Sequence, residues 1–127
     1  MNIPAVSDTE LAVLQLLWDQ GQLSARQITE QLYPAQSSSD LATVQKLIQR
    51  LEKKNLVGRD RSAYVHAIYP LMDRNEFAGQ RLAETAEKLT RGSLKPLLAH
   101  LVENDQLSPE EQDEIRKLLN KHRKKNK

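Results

Sequence analysis

Three serines fix where helices begin. Ser7, Ser24 and Ser108 each stand three residues ahead of a side chain that can reach back, Glu10, Gln27 and Glu111. At that spacing the serine oxygen accepts from an orphaned backbone N–H, and the later side chain accepts from the serine's own N–H. Apolar residues follow at helical intervals. Leu11, Leu14, Leu17 and Trp18 form one stripe that stops at a turn around Gly21. Ala25, Ile28 and Leu32 form a shorter one, ended by Pro34. Pro109 falls at the first helical position after Ser108, where a missing N–H costs nothing.

A third helix is expected from about Leu41 to Lys54, with Val44, Leu47, Ile48 and Leu51 on its apolar side. After Asn55 the period changes. Leu56 and Val57, a turn near Asp60 to Ser62, then Tyr64 through Tyr69 up to Pro70 read as a two-stranded hairpin, because aromatic and β-branched residues lie between turn formers. Three helices followed by a hairpin predict a winged helix-turn-helix over residues 1–71. From 72 to 127 the chain turns helical again, and its stripe carries Phe77, Leu82, Leu89, Leu94, Leu97, Leu98, Leu101, Ile115, Leu118 and Leu119. That is more apolar surface than one short appendage can cover, so a helical dimerisation region covered by a second copy is the expectation. The fold class is therefore mainly α.

Length and composition narrow the function. A chain of 127 residues can bury a core without staples, and the absence of cysteine removes disulfides, thiolate nucleophiles and cysteine metal sites. This fits a cytoplasmic protein, as does the lack of a signal-like N-terminus or an apolar run long enough to span a membrane. Net charge is only +2, yet it is unevenly placed: −4 over residues 1–45, +4 over 46–61, −3 over 62–119 and +5 over 120–127. Placed positive charge points to a polyanionic partner.

Double-stranded DNA is the partner that the third helix suits. Ala42, Thr43, Gln45, Lys46 and Gln49 lie off the apolar stripe in the half that a helix-turn-helix points into the major groove. Glutamine can pair with adenine, lysine can donate to guanine, and threonine or alanine can offer a methyl to thymine. Arg50, Lys53 and Lys54 fall further along, where phosphate contact is easier. Arg59 and Arg61 are expected at the wing tip beside Asp60, extending one basic surface. Tyr64, His66 and Tyr69 are more simply strand residues packed on neighbours, and the tail KHRKKNK a solvated end.

No enzyme is expected. His66, His100 and His122 are scattered, no metalloprotease or phosphate-loop motif is present, and the acidic run Glu110 to Glu114 suits the first turn of a helix. Neither a metal nor a cofactor is implied.

The segments SDTELAVLQLLWD, TVQKLIQRLEKKNLV and LVENDQLSPEEQDEIRKLL resemble the penicillinase repressors, also called the BlaI and MecI repressors, over nearly the whole chain. The resemblance implies a homodimeric winged-helix repressor covering a promoter dyad, with Thr43 and Arg50 on the groove-facing helix. It further implies inactivation by a signal-activated membrane protease, cutting at the bond that matches His100–Leu101, where the best-known members carry Asn-Phe. The wing RDRSAYVHAIYP differs from the usual glycine-containing tip, and the cysteine motif of copper-responsive relatives is absent. Two other readings stay open: a winged-helix scaffold that binds protein and no DNA, and a dimer that answers to a small ligand instead of a protease.

Overall fold

A computed structural model describes residues 3–125. Among these described residues, six helices and one hairpin follow in order: α1 Asp8–Gln20, α2 Ala25–Leu32, α3 Ser38–Lys53, β1 Val57–Asp60, β2 Ala67–Pro70, α4 Arg74–Thr90, α5 Lys95–Glu103 and α6 Pro109–Lys125. The mainly α winged-helix reading holds. Residues 126 and 127 of the basic tail lie outside the described residues.

The expected caps are present at α1 and α2, where Ser7 and Ser24 each complete a two-way capping box. Ser108 takes the N–H of Glu111 at 3.1 Å ahead of α6. A fourth box starts α3 three residues earlier than the stripe suggests, because Ser37 exchanges hydrogen bonds with Asp40. Aspartate is shorter than the glutamate or glutamine of the usual motif, so the signal was not visible at that spacing. Gly21, at φ 88, ends α1 in a conformation that side chains resist.

The chain divides into two compact units, Met1–Arg81 and Leu82–Lys127. In the first, α1, α2 and α3 surround a core of Val13, Leu14, Leu17, Ile28, Val44, Leu47, Ile48 and Leu51, closed by Leu56, Val57 and Ile68 of the wing. The two strands pair antiparallel, with Gly58 opposite Tyr69 and Arg59 opposite Ile68. Leu23 adds a single bridge to Ile68, a third rung too short to read as a strand.

Two expectations are corrected here. Tyr64, Val65 and His66 are not strand: pairing resumes only at Ala67, and Tyr64 is fully exposed in the loop. Phe77, expected on a dimerisation stripe, is packed within its own chain instead. It is buried, with its ring 5.4 Å from that of Trp18, whose Nε1 donates to the Met72 carbonyl. Arg81 stacks on Phe77 and donates to the Pro4 carbonyl. The first unit therefore runs ten residues past the boundary expected at residue 71, because the start of α4 packs back on α1.

In the second unit the buried hydrophobic side chain among the described residues is Ala86. Leu82, Leu89, Leu94, Leu98, Leu101, Leu118 and Leu119 are exposed, and Leu97 and Ile115 are half-buried.

Candidate nucleic-acid interface

α3 is two-faced by its spacing. Val44, Leu47, Ile48 and Leu51 are sealed in the core, and this orients the remaining positions outward. Ala42, Thr43, Gln45, Lys46, Gln49, Arg50 and Lys53 are all exposed. The structure thus brings every expected α3 residue to one surface. Thr43 donates its hydroxyl to the Ser39 carbonyl at 2.9 Å, so its hydroxyl is already engaged and its methyl is what it can offer a partner.

The wing returns to this face because of how α3 ends. Asn55 adopts φ 59, Leu56 N–H reaches the Leu51 carbonyl and Asn55 N–H the Glu52 carbonyl, a Schellman turn with asparagine in the usual glycine place. This reversal lays β1 along the end of α3. Arg59 is consequently in the strand and not at the tip, and its guanidinium grips Glu52, with Nη2 at 2.8 Å from Oε1 and Nε at 3.4 Å from Oε2. Arg59 then Arg61 hold the Glu52 carboxyl below its ordinary range, against the upward push of partial burial. Arg61 is exposed in the loop. There Ser62, through its side chain and then its backbone N–H, lowers the Asp60 carboxyl.

Lys54 leaves the candidate set of phosphate contacts. Its Nζ lies 2.7 Å from Glu10 Oε2 and 2.8 Å from the Ala5 carbonyl, tying the end of α3 to the start of α1. Burial raises the Glu10 carboxyl, but the hydrogen bonds from Lys54 and Ser7 outweigh it and the net effect is a lowered pKa.

Between α2, α3 and the wing runs an open groove of about 280 Å³. Its lining includes Arg26, Gln45, Arg59, Tyr64 and His66. Sequence reasoning passed over Arg26 and Glu52. Glu52 was legible in principle, since it lies seven residues beyond Gln45 and so on the same stripe. A surface with cationic, amide and methyl groups on one helix, flanked by a basic loop, can displace counterions from a duplex and read its edges.

The penicillinase repressor family model matches residues 6–121. The chain belongs to the penicillinase repressor family. A penicillinase repressor of Bacillus licheniformis is 26% identical over 99% of this chain and 98% of its own length. The transcriptional regulator BlaI of Mycobacterium tuberculosis is 35% identical over 93% of this chain and 85% of its own. Among solved structures, the DNA-binding domain of the repressor BlaI matches with a TM-score of 0.50 and 26% identity, covering 60% of this chain and 93% of that domain. This penicillinase repressor homologue is a DNA-binding transcriptional repressor. Among its described residues no helix is long and apolar enough to cross a membrane.

Proposed function

We propose that the chain represses transcription in the cytoplasm as a homodimer, two copies placing their α3 helices in successive major grooves of a promoter dyad. One observation carries the DNA-reading half: the seven α3 side chains expected to meet DNA are all exposed, on a face that continues into the wing. Gln45, Lys46 and Gln49 read base edges, with the Ala42 and Thr43 methyls beside them. Arg50, Lys53 and Arg61 hold phosphates, and Arg59 reaches the duplex from the wing. The dimeric half is supported by the exposed leucines of α5 and α6. A single module makes too few contacts for a specific site at cellular salt, so pairing is the control point.

Relief follows from breaking that pairing. His100 and Leu101 both lie exposed on α5, which favours cleavage of their bond by a membrane sensor protease. A chain that stays intact throughout derepression in treated cells would exclude this step and leave a small-ligand response. The function is tested by selecting binding sites from a random duplex pool with purified protein near physiological salt. Enrichment of a two-fold symmetric site is expected. Recovery of random sequence from folded, dimeric protein would favour the protein-binding scaffold.

A further inference from the structure

Glu52 is an acid where the proposed function has least use for one. It sits on the stripe of α3 that carries Gln45 and Gln49, at the end nearest the wing, where a free carboxylate would repel phosphate. It is not free. Arg59 lies across it with two hydrogen bonds to two different oxygens, the side-on geometry that fixes both the plane and the direction of a guanidinium. Both side chains are mostly shielded, at 20% exposure for Arg59 and 27% for Glu52, so the pair is screened less than an exposed one.

The contact uses Nε and Nη2. Among the described residues Nη1 makes no hydrogen bond, and Arg59 lines the groove that also takes in Gln45, Tyr64 and His66. Arg59 is therefore held by two hydrogen bonds on the wall of that groove, with Nη1 outside the contact. Arginine on a strand would otherwise sample many rotamers, and freezing it on binding would weaken the complex.

We propose that Glu52 is a positioning residue for DNA recognition: it clamps Arg59 across the α3–wing junction, so that the Nη1 donors meet the duplex in one fixed direction. The proposal rests on the wing and α3 forming one DNA interface. Its consequence is a trade between charge and order. The carboxylate cancels the charge of Arg59, which lowers affinity for any duplex, and fixes the arginine, which raises affinity for the matching one. Glu52 thereby acts on the ratio of specific to non-specific binding.

The two effects have opposite signs, and this makes the test sharp. Full-length wild type, Glu52→Gln, Arg59→Ala and the double variant are titrated, over a salt series, against the selected symmetric duplex and a scrambled duplex of the same length. Sequence-specific binding by wild type checks the underlying interface on its own. Glu52→Gln is expected to bind scrambled duplex a few-fold more tightly, with a salt slope steeper by about one ion per module. It should bind the selected duplex roughly tenfold more weakly, the scale of one bidentate contact. The double variant should bind the selected duplex no worse than Arg59→Ala, since the clamp has nothing left to hold. Thermal melting of each variant distinguishes a lost wing from a loosened arginine, and Glu52→Asp, which keeps the charge on a shorter arm, should recover only part of the ratio. If Glu52→Gln tightened both duplexes alike, or if its effect on the selected duplex added fully to that of Arg59→Ala, Glu52 would not position Arg59.

Discussion

At the scale of single residues, the contacts that hold the first unit together are not those its charge pattern advertises. Lys54 belongs to the basic cluster by sequence, yet its ammonium closes on Glu10, whose side chain is only 5% exposed. Lys54→Met keeps the stem and removes the donor, leaving a buried carboxylate short of a partner. Stability should fall by about 2 kcal/mol in urea titration, the scale of a hydrogen bond to a charged group. The same pair sets a pH dependence. Because the folded carboxyl sits below its ordinary 4.5, its contribution is fully present above that value and drains away as pH falls through the folded one. Glu10→Gln should therefore flatten the loss of melting temperature between roughly pH 5 and 3. An unchanged acid limb would mean that other carboxylates govern it. Gly58 makes a second point about space. A Cβ there would stand 2.6 Å from the Tyr69 ring. Gly58→Ala should cost about 1–3 kcal/mol by forcing that ring aside, and adding Tyr69→Ala should return part of it. If the single substitution left the melt unchanged, the cross-strand contact would not be tight.

Elements were more legible than their edges. The starts of α1, α2 and α6 followed from serine with glutamate or glutamine three residues on, a pattern that is local and so visible in the chain itself. The outward set on α3 followed from periodicity alone, because four sealed positions leave the rest facing away. What could not be read was decided at a distance. Tyr64 to His66 have strand composition, but the register is set by Leu23 bridging Ile68 and by Val57 opposite Pro70, and it leaves them in the loop. Phe77 has the spacing of the helical stripe, but Trp18, far away in sequence, captures it. Glu52 gains its partner only through the Asn55 turn, which brings Arg59 beside it. Ser37→Ala, which removes the cap of the reading helix, should lower stability by about 1 kcal/mol, and no change in the melt would mean the box contributes nothing. At the wing, Tyr64→Ala should weaken duplex binding with the salt slope unchanged, whereas Arg61→Ala should lower the slope by about one. Equal slopes for wild type and Arg61→Ala would remove the loop from the interface.

For the whole molecule the decisive quantity is apolar surface with nothing over it. The second unit buries Ala86 and leaves Leu118 and Leu119 more than half exposed, at 65% and 62%. Helices this wet do not hold together by propensity alone, since most helical stability in proteins comes from packing. A second copy of the same helices is the cover we propose, and a two-fold arrangement would set the spacing of the two α3 helices that a dyad requires. Stability and recognition are then coupled through concentration: dilution should lower the melting temperature of the C-terminal unit while the winged-helix unit, with its own core, keeps its transition. Leu118→Asp combined with Leu119→Asp should convert the protein to a monomer in sedimentation equilibrium. It should also reduce affinity for a symmetric duplex by on the order of a hundredfold, as two linked modules become two separate ones, while affinity for a half-site stays near wild type. A variant that still sedimented as a dimer would place the interface elsewhere on the chain. A monomeric variant that bound the symmetric duplex as tightly as wild type would mean that pairing is not what controls occupancy.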